Sequence, residues 1–431
     1  VTPRRLQLAA ALVVAGLGGA TVLAGGQSAL AQTTTAAPTT TIPPRGDADL
    51  VIWADDTRTP VLKPFAERFA AEEGIKVSVQ QLKFDEIRDQ LKVAGPAGQG
   101  PDIIIGAHDW LGDLVVSGLV APLDLGAKAK QFQSVAIKGF TYGGKVYGVP
   151  YAVENIGLLR NTELVPKAPK TWAEVERTAL ALKKAGKVDV ALAVQQNGNA
   201  DPYHNYPLFS GMGGYVFKAD ATGTYDANNL GIDSKGGIDA AKQFAKWVAS
   251  GLIDPNVTYD IMIQSFADGK APYAITGPWA VNDKEKGFKA KGTPYVVEAF
   301  PPVKAGVKPA VFVGVQGFMV SAFSKKQLLA KTFVVDYMGT KDAQLELFKA
   351  GGRPPALTAA FNDPTVRNDK DVRGFGLAAA NGQPLPAIPA MGSVWGAWTD
   401  AYKLIFTKQG TPEQAFKDAA TKIRGLIAAK G

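Results

Sequence analysis

The stretch Gly100-Pro-Asp-Ile-Ile-Ile-Gly-Ala-His108-Asp109-Trp110 narrows the possible folds more than any other. Ile103 to Ile105 is an uninterrupted β-branched run bounded by Gly-Pro and Gly, the pattern of a strand buried on both faces in a parallel sheet. Such sheets are covered by helices, and ligands lie in the crevice beyond the carboxyl ends of their strands. His108, Asp109 and Trp110 follow at that end, so an acid and a large aromatic are expected at the mouth of a cleft.

The flanking segments extend the pattern. Leu50 to Trp53 reads as a strand, followed by a polar loop with Asp55, Asp56 and Arg58. Thr59 is the expected N-cap of a helix with Pro60 at its first position, Leu62, Phe65 and Phe69 on its apolar stripe, and Gly74 at its end. Ile75, Val77 and Val79 alternate as the next strand, Lys83 leaves it, and Asp85 is expected to cap a helix reaching about Ala94. This β-α-β-α-β order implies right-handed crossovers, with Asp55, Lys83 and Asp109 on loops along one edge of the sheet.

Further along, Ala152-Val-Glu154-Asn155 puts a carboxylate in an apolar strand, where it needs partners. Thr171-Trp172-Ala-Glu174 is a capping box opening a helix to about Gly186. Helices are also expected at 234–250, 260–267, 324–338, 341–349, 394–407 and 411–429. Between them, Tyr273–Trp279 and Phe312–Val320 read as strand-to-loop transitions. There is no convincing internal repeat.

A chain of 431 residues exceeds the roughly 250 to 300 residues at which one core stops growing, so two lobes are expected. The absence of cysteine and the presence of only two histidines exclude thiolate metal sites and disulfides. The formal charge of +8 is scattered, with no basic block interleaved with aromatics, which argues against nucleic-acid binding. Arg4-Arg5, the apolar segment from Leu8 to Gly26 and Ala29-Leu30-Ala31 read as an export signal cleaved before Gln32. An uncleaved anchor is the competing reading. Leu23-Ala-Gly-Gly26 resembles a lipobox with glycine in place of the cysteine that lipidation needs. The Thr/Pro/Ala-rich segment 32–48 reads as an extended tether.

No Gly-x-Ser-x-Gly elbow or phosphate-binding Gly-x-x-x-x-Gly-Lys-Ser/Thr loop is present, and no spacing fixes a glycosidase carboxylate pair. Trp53, Trp172 and Trp247 fit core positions. Trp279 after Gly-Pro, Trp395 after Met391-Gly-Ser-Val, and Tyr203 between Asp201-Pro and His204-Asn are as compatible with a ligand face as with the core. Acids at strand ends plus aromatic platforms suit a neutral sugar, since acceptors take its hydroxyls and flat faces take its C–H side. Four charge-assisted bonds at ~1.5–3 kcal/mol each can be consumed by an association cost of ~4–15 kcal/mol. An aromatic face burying about 100 Å² adds ~2.5 kcal/mol.

The chain resembles the maltose/maltodextrin-binding proteins, the extracellular receptors of ABC sugar importers. Leu50-Val-Ile-Trp53, Gly-Ile-Lys-Val77, Gly-Pro-Asp-Ile-Ile104, Ala-His-Asp109, Ser-Gly-Leu119, Ala-Val-Glu154, Pro-Lys-Thr-Trp172, Gly-Gly-Tyr-Val-Phe-Lys218, Gly-Pro-Trp279, Phe-Val-Gly-Val315 and Ile388-Pro-Ala-Met391 occur in the family's order. The resemblance implies an α/β two-lobe periplasmic-binding-protein fold with the ligand cleft between the lobes. It implies a first lobe of 49–153 plus 309–359 and a second of 154–308 plus 360–431. Asp55 or Asp56, Arg58, Lys83, Asp109, Glu154 and Asp201 become polar ligand groups, Tyr203, Trp279 and Trp395 aromatic platforms, and Trp110 a contact where many members have arginine. Gly106 stands where some members have tryptophan, and Thr399 replaces an expected arginine. The implied role is to bind maltose or longer α-1,4-glucans and deliver them to membrane subunits of an importer driven by a separate ATPase. Such a receptor has no catalytic residue, cofactor or metal, binds no nucleic acid, and works as a monomer outside the cell or in the cell envelope. A receptor for another linkage, a secreted glycosidase and a surface adhesin are the alternatives.

Overall fold

A computed structural model describes residues 42–429 apart from 198–199 and 221–222. The expected export signal and the first part of the tether, residues 1–41, lie outside the described residues. Two sheets organise the rest. The first carries Leu50–Ala54 at its middle, paired in parallel with Val77–Gln81 on one side and Ile103–Ala107 on the other. Phe312–Val320 then runs antiparallel to Ile103–Ala107, and Val149–Glu154 runs antiparallel to Phe312–Val320. Every residue of Leu50–Ala54 and of Ile103–Ala107 is buried, as expected for strands covered on both faces. The second sheet places Gly157–Asn161 between Tyr295–Glu298 and Tyr273–Thr276, with the short strand Ala193–Val194 at the edge.

Each sheet has its own core. Leu50, Ile52, Trp53, Ile103 to Ile105, Phe318 and Phe333 belong to the first. Trp172, Trp247, Phe209, Phe244, Trp398 and Tyr402 belong to the second. The chain passes between the cores three times: from Ala152 to Ile156, from Phe312 to Val315, and between Ala360 and the helix Lys370–Ala378. These passages make the two-lobe fold and leave a cleft between the lobes. Trp53, Trp172 and Trp247 are each at most 2% exposed, so the three tryptophans expected in the core are there.

Four expectations need correction. The helix Thr59–Glu73 is capped from Arg58, not Thr59, and no cap side chain bonds it. Instead the Asp55 carboxylate accepts the backbone N–H groups of Thr57 and Arg58, so the acid fixes the loop that leads into the helix. Helix Phe84–Ala94 starts two residues earlier than expected, with Lys83 at its cap and Asp85 in its first turn, where a carboxylate meets the helix dipole. Residues 324–338 are not one α-helix: Gln327–Lys331 is α-helical and Thr332–Tyr337 is a π-helical turn, a local insertion that apolar periodicity does not reveal.

The fourth correction concerns the tether, which ends by residue 42 and not at 48. Ile42 and Ala48 pack on the first core, and the Pro44 carbonyl accepts from Gln80. Arg45 donates to the Gly100 carbonyl at 2.6 Å and to Asp102 at 2.7 Å. Asp102 is fully buried and also accepts from Val51 N–H and the Ser324 hydroxyl. A buried carboxylate needs such a cation, and composition does not show that one arginine in a Thr/Pro-rich stretch supplies it.

Candidate functional site

Four groups of side chains gather where the two lobes face each other, and two of them make contacts across the lobes, Arg353 with Trp279 and Asp109 with Trp395. The first is built on Asp55 and Arg58, both buried. Asp55 accepts from Thr57 at its backbone N–H and its hydroxyl, and pairs with the Arg58 guanidinium. Arg58 also donates Nε–H to Tyr151 Oη at 2.7 Å and lies 4.9 Å above the Phe84 ring. Burial pushes the Asp55 carboxyl up, but Arg58 and Arg353 outweigh it and hold the pKa below the usual carboxylate value.

Glu154 forms the second group. Its strand residue is only 3% exposed, and Arg353 supplies the partner that an acid in such a strand requires. The Arg58 guanidinium stands 4.0 Å from its other oxygen. Arg353 donates a second bond to Thr57 Oγ1 at 3.0 Å, and its guanidinium carbon lies 5.0 Å from the centre of the Trp279 ring. One arginine of the first lobe thus joins Glu154, Thr57 and an indole of the second lobe.

Trp279 is the second residue of the short helix Pro278–Asn282 and is half-buried. Its indole lies directly over Gly277, where an added Cβ would fall 2.1 Å from the ring. The turn from strand to helix therefore needs glycine for the tryptophan to fold back. His204 stands edge-on to the same indole at 6.0 Å and to Tyr203 at 5.3 Å. Asp201 caps the helix Pro202–Gly211 and accepts His204 N–H at 3.0 Å, His204 Nδ1 at 2.9 Å and Gln195 Nε2 at 2.7 Å. Burial raises the Asp201 pKa, but the His204 contacts outweigh it and leave it lowered. His204 Nε2 is buried with no hydrogen-bond partner. Tyr203 lies half-buried within electrostatic reach of Glu154, Arg353, Asp201 and Asp109. Burial first, and then Glu154, raise its phenol pKa.

The fourth group crosses the cleft at Asp109, whose carboxylate accepts the Trp395 indole N–H at 3.0 Å. Burial pushes the Asp109 pKa up to about 6, against the pull of Trp395 and Arg88. Its neighbour His108 has a structural role. Nδ1 accepts Val315 N–H at 3.0 Å, a second hydrogen bond links the ring to the Leu385 backbone, and burial lowers its pKa to about 4.

Asp55, Arg58, Asp109, Glu154, Asp201, Tyr203, Trp279 and Trp395 are therefore brought together around the cleft. Asp56 is exposed at the rim, and burial of its carboxyl and the neighbouring Asp55 charge raise its pKa. Lys83 is not gathered in: its side chain is 76% exposed and its ion pair is with Glu86, one turn along its own helix. Trp110 is a second exception. It is 5% exposed in the first core, packed 4.8 Å from Phe84, with its ring 2.1 Å from where a Cβ on Gly106 would stand. It buttresses the Phe84 ring on which Arg58 rests instead of offering a face to the cleft. Arg353, Tyr151 and His204 were not singled out as site residues. The one signal for Arg353 is its placement between Gly351-Gly352 and Pro354-Pro355, a stiff loop holding a single charged residue. No group of His, Cys, Asp or Glu that could hold a metal occurs among the described residues.

Residues 65–374 match the family model described as bacterial extracellular solute-binding protein. A galactooligosaccharide-binding protein of Bacillus subtilis (strain 168) is 27% identical over 393 residues, covering 89% of this chain and 90% of its own. A maltodextrin-binding protein of the same organism is 29% identical over 400 residues, covering 89% and 91%. The crystal structure of a cyclo/maltodextrin-binding protein complexed with maltotetraose superposes with a TM-score of 0.68 at 33% identity, covering 89% of this chain and 98% of that one. The Thermus thermophilus maltotriose binding protein bound with maltotriose gives 0.78 at 30%, covering 88% and 100%. A two-lobe α/β chain whose acids and indoles converge between its lobes, and which matches that family over most of its length, belongs to the bacterial extracellular solute-binding proteins.

Proposed function

We propose that this receptor binds maltose or longer α-1,4-glucans between its lobes and delivers them to the membrane subunits of an ABC importer, the ATPase being a separate chain. The observation that carries the reading is the meeting of two half-buried indoles and a tyrosine, Trp279, Trp395 and Tyr203, with Asp109 and Glu154 across the cleft. Flat apolar faces beside anchored acceptors suit a pyranose, whose two sides are C–H-rich and whose rim carries hydroxyls. Asp201 supports this more as a scaffold than as a free acceptor, because its oxygens already take three bonds. The relatives named for maltodextrin and maltotriose favour glucose units, and the one named for galactooligosaccharide supplies the competing ligand.

In this reading the lobes pivot about the three chain passages, and closure on sugar presents the pair to the importer. The protein acts as an exported monomer without cofactor or catalysis, held near the membrane by the importer or by its leader. Calorimetry against maltose, maltotriose, maltotetraose and a galactooligosaccharide tests the ligand. Micromolar or tighter binding of the glucans, about −8 kcal/mol or more favourable, is expected. Heat only with the galactooligosaccharide would replace the glucan reading with the galactose one, and consumption of maltotriose during incubation would favour a hydrolase.

A further inference from the structure

The end of the first lobe that lies away from the cleft carries a pocket of its own. Asp49 leads into Leu50–Ala54, Gly100 leads towards Ile103–Ala107, and Val320, paired with Ile103, ends the strand antiparallel to it. The chain just beyond these strand ends borders a volume of about 200 Å³, lined by Arg45, Asp49, Phe323, Lys325 and Lys326 with alanine and glycine between them. Asp55 and Asp109 follow the opposite ends of the same five-residue strands, roughly 17 Å away at ~3.3 Å per residue. The pocket therefore shares no residue with the sugar site.

Three cations face one exposed acid here. Arg45 is fixed by the Gly100 carbonyl and by Asp102, which leaves most of its N–H donors unused. Asp102 offsets that charge from within the sheet, where it is 0% exposed. Lys326 reaches Asp49 only at 3.5 Å, between two partly exposed side chains, a pairing of little weight in water. Lys325 is exposed and has no ion pair among the described residues. Even with both acids counted, one cation is in excess. A single water needs about 10–15 Å³, so the pocket has room for a phosphate group.

The same segment holds two apolar side chains in water. Phe323 is 40% exposed, and Leu328, two residues past Lys326, is 81% exposed, more than any other large apolar side chain among the described residues. The loop at Gly95 backs the Phe323 ring, which would stand 2.8 Å from an added Cβ there. A lone exposed leucine needs no explanation, but cations flanked by apolar tips match the layering of a bilayer surface, phosphates above hydrocarbon. The 41 residues that precede the described chain join it just ahead of Arg45. A chain held at the membrane through that segment is held by this end.

We propose that the first lobe carries, at the amino ends of its strands, a docking site for anionic phospholipid: Arg45, Lys325 and Lys326 take the headgroup phosphate while Phe323 and Leu328 enter the layer beneath. The site is independent of which sugar the cleft binds, and it gives the folded lobe a membrane contact of its own.

Cosedimentation tests this with the chain from residue 32, which holds both cores and lacks the apolar segment Leu8–Gly26. Vesicles of phosphatidylglycerol mixed with phosphatidylcholine should bind it, and vesicles of phosphatidylcholine alone should not. Binding should fall about tenfold or more between low salt and ~0.5 M salt. Lys325→Ala and Lys326→Ala should each weaken it about fivefold, and Leu328→Ser about threefold or more. All three side chains are exposed, so the unfolding midpoint should hold. Lys246→Ala and Lys403→Ala remove the same charge from exposed positions on the second lobe and should leave vesicle binding unchanged. Equal loss in those two variants would reduce the effect to net charge and overturn the site. Binding to neither vesicle, or to both alike, would overturn it as well. Inorganic phosphate bound in calorimetry without binding of the anionic vesicles would make this a site for a free anion and overturn the docking.

Discussion

Two tryptophans of similar size are expected to respond oppositely to truncation. Trp279 is half-buried over Gly277, so Trp279→Ala should weaken sugar binding by roughly 2 kcal/mol or more while changing stability less. Trp172 is 2% exposed in the second core, so Trp172→Ala should cost ~3–5 kcal/mol of unfolding free energy and leave affinity nearly unchanged. Titration calorimetry and denaturation midpoints of both variants check this, and a Trp279→Ala protein that binds normally but unfolds easily would return Trp279 to the core. Asp109 carries a pH prediction. Its folded pKa of about 6 lies above the ordinary carboxylate value of 3.8, so the folded state binds the extra proton between these limits. Stability should therefore fall as pH rises through that window, by on the order of 2–3 kcal/mol in all. Asp109→Asn should abolish that slope and be the more stable protein at pH 7. If the ionised carboxylate accepts sugar hydroxyls, affinity should rise through pH 6 in the wild type and fall about tenfold in the variant. Thermal melts and calorimetry from pH 4 to 8 measure both, and a flat stability profile would refute the titration. Most individual acids were legible because a charged residue beyond an apolar run has few places to go. Arg353 was not, since what it touches is set by chain 199 positions away.

Among the elements, the strands of the first sheet were the most legible, because Leu50–Ala54 and Ile103–Ala107 are apolar throughout and bounded by polar or glycine residues. Helix ends were read less well. At residue 59 the cap position falls to Arg58, and Asp55, four positions before Thr59, fixes the approach to the helix by accepting the Thr57 and Arg58 N–H groups. The start of the folded unit was misplaced for a similar reason, since composition describes the average of a segment and Arg45 acts alone. Arg45→Ala should cost ~1–3 kcal/mol, because the Asp102 carboxylate keeps its bonds to Val51 and Ser324 but loses its cation. A chain begun at residue 49 should melt earlier than one begun at 42 by a similar amount. Equal melting points would show that Arg45 is a surface contact without weight.

At the scale of the whole molecule, the cross-lobe contacts Asp109–Trp395 and Arg353–Trp279 set what closure must bring together. Small-angle scattering should show a smaller radius of gyration when maltotriose saturates the protein, and an unchanged profile would argue that binding and closure are separate events. The connectivity also governs how the chain comes into being. Phe312–Val320 lies between Ile103–Ala107 and Val149–Glu154, strands that precede it by more than 150 residues. Until residue 320 has left the ribosome, the three consecutive isoleucines have an open edge and the first lobe has no finished sheet. The order of the strands thus acts as a timer: the sheet of the first lobe cannot be completed before its last central strand, Phe312–Val320, has been made.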